Sequence, residues 1–264
     1  MANADKMIRF SIVTVTYNAG ELLRRTAETV LAQTHPYLEH LIIDGCSKDN
    51  TVEIAKEYKC ANDEQDNGHE VVVVSEPDKG LYDAMNKGLR RATGDYVLFL
   101  NAGDTLPSDS TLDDIAACIG DSEELPAVLY GDTDIVDSDF RFLRHRRLSP
   151  PEKLSWRSFR RGMLVCHQAF YARLDIAREL LYDDRYRYSA DVDWCIRVMK
   201  VAEKRRLPLR NVHAVVAEYL EEGQTTANHK ASLKERFTVM KRHYGLVQTI
   251  ALHIWFVFRA VLKK

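Results

Sequence analysis

The sequence predicts an α/β protein built on a mainly parallel sheet lying between helices. Three observations carry this. The first hundred residues alternate strand-like and helix-like stretches four times, the pattern of a parallel sheet covered on both faces. The strand-like stretches are short and nearly continuous in apolar residues, as buried parallel strands are. Each ends in polar residues, where open α/β sheets place their ligands.

Residues 10–17 are a β-branched run and form the first strand; Asn18-Ala19-Gly20 turns the chain. Residues 21–33 repeat Leu22, Leu23, Ala27, Val30 and Leu31 at helical spacing, with Pro36 beyond the end. Residues 38–43 are the second strand, ending at Asp44-Gly45, and Ser47 or Asp49 caps a helix over 51–58. Residues 60–69 read as a polar loop and 71–74 as the third strand. A helix follows through Leu81, Ala84, Met85, Gly88, Leu89 and Ala92, stopped by Gly94-Asp95. The fourth strand, 96–100, runs into the acidic turn Asn101-Ala102-Gly103-Asp104. Parallel strands joined by right-handed crossovers bring all these polar ends to one rim.

The second half is less regular. A helix is expected over 110–119, strands over 127–130 and 135–136 around Gly131-Asp132, and another strand over 165–171. A helix over 191–201 and a last strand over 214–219 follow. The basic run 140–148, with Arg157, Arg160 and Arg161, is either a solvated face or a cradle for a phosphate-bearing acceptor. Residues 227–264 stand apart as a helical extension, with helices over 235–244 and 246–262. The second carries Val247, Ile250, Ala251, Ile254, Phe258 and Val261 on one face, with Trp255 beside it and Lys263-Lys264 after it. That pattern suits peripheral contact with a membrane surface; packing on the chain's own body or in a homodimer is the alternative.

A chain of 264 residues supports one good-sized core and a small appendage. The net charge of −2 argues against a general nucleic-acid binder. Cys46, Cys60, Cys118, Cys166 and Cys195 form no C-x-x-C pair and read as reduced thiols of a cytoplasmic protein without structural zinc. Residues 1–9 hold no apolar leader core, and the apolar runs fall short of the ~18 residues a spanning helix needs.

The rim suggests chemistry. Asp104 offers oxygen ligands to Mg²⁺ or Mn²⁺, ions that bind together with substrate phosphates. Asp44 is placed to hydrogen-bond a nucleobase or ribose. Neither the G-x-G-x-x-G nor the G-x-x-x-x-G-K-[ST] loop follows the first strand, which argues against a dinucleotide site and a P-loop. A nucleotide held here would be gripped by side chains at base and ribose, and by a metal at the diphosphate.

Four ordered motifs sharpen this: T-V-T-Y-N (14–18), I-I-D-G-C-S-K-D-N-T (42–51), E-P-D-K-G-L-Y-D-A-M-N-K-G (76–88) and A-T-G-D-Y-V-L-F-L-N-A-G-D (92–104). Together they resemble glycosyltransferase family 2, and most of all bacterial members that build surface polysaccharides. The resemblance is close over 10–106 and resumes at C-H-Q-A-F-Y (166–171) and A-D-V-D-W-C-I-R (190–197). It implies a GT-A fold over 7–226, with a nucleotide-sugar-binding half at 7–106 and an acceptor half at 107–226. It further implies a UDP- or GDP-sugar donor, Mg²⁺ or Mn²⁺, inversion at the anomeric carbon and a glycan or polyprenyl-linked acceptor at the cytoplasmic membrane face. Thr16, Tyr17 and Asn18 would line the nucleotide pocket, Asp44 would contact the base, and Asp78, Lys79 and Asn86 would lie along the donor. Asn101 and Asp104 occupy the family's D-x-D-type turn, with Asp104 on the metal and Asn101 free to bond ribose. Asp191 would be the catalytic base, with Asp193 as fallback, and His167 and Gln168 would sit by the acceptor or the diphosphate.

Two departures stand out. Asn-Ala-Gly-Asp keeps a single carboxylate, and residues 221–226 replace an expected Gly-rich segment. A catalytically silent nucleotide-sugar-binding or docking subunit is therefore the alternative function. A sugar nucleotidylyltransferase is disfavoured, because Thr16-Tyr17-Asn18-Ala19-Gly20 lacks the G-x-G-x-R loop.

Overall fold

A computed structural model describes residues 7–120, 124–221 and 229–261. Its first half follows the expected alternation: β1 (Phe10–Thr16), α1 (Gly20–Leu31), β2 (Leu38–Asp44), α2 (Thr51–Asp63), β3 (Glu70–Ser75), α3 (Leu81–Arg91) and β4 (Tyr96–Phe99). Strands β3, β2, β1 and β4 lie side by side, all parallel. Thr16 pairs in register with Asp44, and Asp44 with Ser75, so the polar strand ends do share one rim.

The apolar runs explain the layering. Every residue of β1, β2 and β4 is buried. Side chains alternate across the sheet. Ile42 packs with Leu23, Ala27, Ile54 and Tyr58 of α1 and α2. Ile43 points to the other face, beneath α3. Gly88 lets α3 lie directly on β1, because a Cβ there would come within 2.3 Å of Val13 Cγ1. Polar residues inside the sheet are satisfied. Buried Glu39 accepts from Ser11 Oγ (2.5 Å), Thr93 Oγ1 (2.8 Å) and Gly94 N (3.2 Å), which pins the turn that launches β4.

Beyond β4 the order becomes mixed. The elements are α4 (Thr111–Ala117), β5 (Val128–Val136), β6 (Phe142–His145), β7 (Phe170–Arg173), α5 (Leu174–Glu179), α6 (Ala190–Arg205) and β8 (Leu209–Leu220). β7 inserts antiparallel between β4 and β5, β6 pairs antiparallel with the end of β5, and β8 runs parallel to β5. Several expectations are corrected here. The two strands around Gly131 are one, because β8 pairs with it throughout apart from local register shifts. The basic run contains a strand, β6, exposed at all four positions. The expected strand over 165–171 begins only at Phe170; His167–Ala169 is a 3-10 turn. Helix α2 continues to Asp63, into the expected loop.

Two helices close the described chain, α7 (His229–Tyr244) and α8 (Leu246–Val261). α7 is strapped to the body. The Glu235 carboxylate accepts from the backbone N–H of Arg187, Tyr188 and Ser189 at 2.7–3.1 Å, just before α6. Residues 222–226 of the departing segment noted above lie outside the described residues.

Candidate active site

The nucleotide side of the rim is built by β1, β2 and the loop after β3. Asn18, at φ 48°, accepts from Lys48 N (2.8 Å) and its own N–H donates to Ser47 Oγ (2.8 Å). Tyr17 is 60% exposed and its ring lies over Gly45, on the same side as the Asp78 carboxylate. A Cβ at Gly45 would meet Asp78 Oδ2 at 2.4 Å, so glycine is what lets the two loops approach. Thr16 Oγ1 is buried with no hydrogen-bond partner. Lys79 is exposed at the rim.

Two expected donor contacts sit differently. Asp44 is fully buried and already engaged: Ser47 Oγ donates to Oδ1, while Ser47 N (3.0 Å) and Ser75 Oγ (2.6 Å) donate to Oδ2. In this arrangement it organises the pocket floor. Asn86 is likewise spent, its amide donating to Tyr182 O (3.0 Å) and accepting from Tyr182 N (2.7 Å). It ties α3 to the strand-free segment before α6 and does not line the open rim.

The reaction side forms where β4 ends. Thr26 on α1 fixes the turn: its hydroxyl accepts from Gly103 N (2.9 Å) and donates to Asp104 O (2.8 Å). Gly103 holds φ 99°, which allows the tight return. Asp104 Oδ2 then accepts from Asn101 N (3.2 Å) and from Gln168 Nε2 (3.0 Å). The Asn101 amide nitrogen donates to His167 Nε2 (3.1 Å). His167 Nδ1 faces Asp191 Oδ2 at 3.5 Å. Tyr82 donates its hydroxyl to Asp191 Oδ1 at 3.3 Å. The Tyr82 ring is held in place by stacking on Tyr182 (5.5 Å), which stacks on Trp194 (4.9 Å). So Asn101, Asp104, His167, Gln168 and Asp191, drawn from three separate stretches, form one connected network.

Electrostatics separate the carboxylates. Burial raises the Asp104 carboxyl to about 6, against the opposing bonds from Gln168 and Asn101 and the charge of His167. Burial also acts to raise Asp191, but the hydrogen bond and charge of His167 and the charge of Arg236 outweigh it and hold the carboxyl below its usual range. Asp191 is thus kept ionised in a largely enclosed site. Asp193, two residues on, is fully buried and bonded to Arg197 Nε (2.6 Å) and His243 Nε2 (2.7 Å). It is a structural ion-pair partner of α7, not an available base.

Two residues of this centre escape a sequence reading. Tyr82 lies inside a quoted motif but its role depends on the aromatic stack. Arg236 comes from α7; its Nε is buried without a hydrogen-bond partner and its charge is felt by Asp191 and Tyr82. Arg146, from the basic run, donates to the carbonyls of Leu148 (2.8 Å), Leu164 (3.3 Å) and Met163 (2.7 Å). Other cations of that run pair on the surface, Arg144 with Glu221 (2.9 Å) and Arg157 with Glu203.

The residues at the turn fit a divalent cation in a limited way. The Asn101 Oδ1 atom is buried with no partner, beside a carboxyl that burial disfavours as an anion. Both are hard oxygen donors of the kind Mg²⁺ and Mn²⁺ take. Among the described residues no group of three His, Cys, Asp or Glu side chains converges as a metal cage. The remaining ligands would have to come from a bound diphosphate and water.

Comparison with known proteins agrees with this geometry. The family model described as "Glycosyl transferase family 2" matches residues 11–181. The chain is 34% identical over 215 residues to the PGL/p-HBAD biosynthesis glycosyltransferase of Mycobacterium bovis (strain BCG / Pasteur 1173P2), covering 81% of this chain and 77% of that protein. Among solved structures it resembles S. aureus TarS 1-349 in complex with UDP-GlcNAc, with a TM-score of 0.68 at 15% identity over 94% of this chain and 73% of that one. It also resembles the mannosyltransferase PcManGT from Pyrobaculum calidifontis in complex with GDP-Man and Mn²⁺, with a TM-score of 0.65 at 16% identity over 94% and 71%. The strand-end motifs, the rim they build and the extent of these matches lead to one assignment: the chain belongs to glycosyltransferase family 2 and is a glycosyltransferase of the GT-A fold.

Proposed function

We propose that the protein moves a sugar, with inversion, from a UDP- or GDP-linked donor to a glycan or polyprenyl-linked acceptor in bacterial polysaccharide biosynthesis, at the cytoplasmic face of the membrane. One observation carries the mechanism: Asp191 is largely enclosed yet held as an anion by His167 and Arg236, with Tyr82 also donating to it, on the rim that also bears Asp104. Residues 7–106 hold the donor and residues 107–226 the acceptor, with 227–264 a helical extension.

The exposed Tyr17 ring offers a stacking face for the base. Thr16 Oγ1, buried and unpaired, and Asn18 offer polar contacts beside it. Asp78 and Lys79 lie along the diphosphate. The acceptor hydroxyl gives its proton to an Asp191 oxygen as its own oxygen bonds to the anomeric carbon. The bond from that carbon to the diphosphate breaks on the opposite face, so configuration inverts. A carboxylate placed this way is worth about 10²–10⁴ in rate. His167 keeps the carboxylate oriented through Nδ1 and is itself set by Asn101. Mg²⁺ or Mn²⁺, held by Asp104 with Asn101, would neutralise charge on the departing diphosphate. The complexes of the two solved neighbours, with UDP-GlcNAc and with GDP-Man and Mn²⁺, support both donor class and metal.

The test is a panel of UDP- and GDP-sugars with and without Mn²⁺, read first by thermal shift. A nucleotide at about a hundred times its Kd adds roughly 2.7 kcal/mol. The stabilising donor is then incubated with polyprenyl-phosphate and glycan acceptors, and the product's anomeric configuration is read by NMR. Donor binding followed by an inverted product is expected. Retention of configuration would refute the mechanism; donor binding without transfer to any acceptor would favour the silent subunit.

A further inference from the structure

Helix α8 is amphipathic the wrong way round for a helix in water. The side it turns to α7 carries polar residues. Thr249 is fully buried, and the His253 ring sits edge-on to Phe237 of α7, with 4.9 Å between centroids. The outward side carries Val247, Ile250, Ile254 and Phe258, which are 83, 43, 53 and 63% exposed and recur at helical spacing. Trp255 lies beside them, 44% exposed. A solvated helix puts such a stripe inside. A contiguous exposed apolar patch marks a surface that something else covers.

The two sides of the helix decide how it meets a lipid phase. Thr249 and His253 face the protein, while the apolar stripe faces away from it. Among the described residues no helix is long and apolar enough to cross a membrane. A helix with polar residues on one side and this stripe on the other suits an interface plane.

Charge selects the occupant. Residues 229–264 hold eight lysines and arginines against one glutamate, in a chain whose net charge is −2; of these Arg236 turns to the active centre and Arg242 pairs with Asp183 at 3.1 Å. Lys234 and Lys241 of α7 are exposed. A second copy seated face to face on α8 would bring two such cationic segments together, and like charges across an interface are costly. An anionic bilayer complements them. We propose that α8 docks the protein on an anionic lipid surface, its apolar stripe at the acyl boundary and the lysines of α7 at the headgroup phosphates. This surface acts independently of the transfer chemistry. It also fits it: Arg236, in the active centre, precedes Leu246 by about 15 Å of helix, so docking holds the acceptor side near the lipid.

The test is flotation of the full chain with vesicles of phosphatidylcholine alone or with about 30% phosphatidylglycerol. Binding to the anionic vesicles is expected to be at least about tenfold tighter, and to weaken with added salt. The pair Ile250→Asp and Ile254→Asp, on the exposed face, is expected to abolish it. The pair Lys234→Glu and Lys241→Glu is expected to lower it several-fold while thermal melting and donor binding stay unchanged. Failure of the wild-type chain to float, or equal affinity for neutral and anionic vesicles, overturns the proposal. So does a dimer in sedimentation that the two aspartates dissociate, since a second copy then owns the face.

Discussion

Asp191 and Asp193 are two residues apart on one helix, and the structure gives them opposite tasks. Replacing each by asparagine should separate those tasks cleanly. Asp191→Asn removes the proton acceptor while keeping a group that can still accept from Tyr82. The expected loss in kcat is about 10²–10⁴, or roughly 2.7–5.4 kcal/mol in the barrier at 1.36 kcal/mol per decade. Nucleotide-sugar binding and unfolding free energy should change little, because asparagine keeps the side chain's shape and an oxygen that accepts from Tyr82. Asp193→Asn strands Arg197 and His243, which now bond its fully buried carboxylate at 2.6 and 2.7 Å. Breaking a buried pair in this way costs about 3–5 kcal/mol. The contact that straps α7 to α6 should loosen with it. Urea unfolding and a transfer assay on the same two preparations give both readouts. The reasoning fails if Asp191→Asn keeps kcat within about tenfold of wild type, or if Asp193→Asn abolishes turnover with no loss of stability.

Three further outcomes are expected. Arg236→Met removes a charge that favours ionised Asp191, so the acid limb of the kcat–pH profile should move to higher pH; an unmoved limb would sever Arg236 from the centre. His40 is fully buried between Thr14 Oγ1 (2.8 Å) and Tyr58 OH (2.9 Å), and burial, then the charge of His69, lowers it from 6.5 to about 3. The unfolded chain therefore takes up a proton that the folded one refuses: stability is full above pH 6.5 and falls between there and about 3, by about 2 kcal/mol at pH 5. Urea titrations at pH 7.5 and 5.0 on wild type and His40→Gln measure it, with the variant expected to lose the smaller amount. Gly88→Ala drives a methyl to 2.3 Å from Val13 Cγ1 and should cost about 1–3 kcal/mol by urea unfolding, with the helix lifted off β1.

Much of the first hundred residues was legible because its signals are local. A buried parallel strand is a short apolar run whatever its neighbours, and its polar end marks the rim. That is why β1 to β4, the α3 helix and the Asn101–Asp104 turn appear in the sequence close to their true bounds. The second half resisted because its decisive partners are distant. The run 165–171 has strand-like composition, yet His167–Ala169 is a 3-10 turn, since only from Phe170 on does the chain find β5 and, at Ala172 and Arg173, β4. The span 128–136 looks broken at Gly131, yet β8 pairs with it on both sides of that glycine.

At the site, the sequence by itself determined which residue types stand at the strand ends, and with them the family. It also set out the apolar stripe of α8 and the cations around it. Only the tertiary structure decided how those groups are used. Asn86 reads as a rim amide until its 2.7 and 3.0 Å bonds to Tyr182, 96 residues away, are seen. In the motif Asp191 reads as the base and Asp193 as its fallback. A two-residue step turns about 200° around a helix, so one faces His167 and the other is sealed against α7. The stripe of α8 is visible in the sequence, but its direction is not, because the helix packs through Thr249 and His253. Periodicity reports that a face exists; which way it points, and whether a polar group meets ligand or backbone, is set by contacts between residues far apart in the chain.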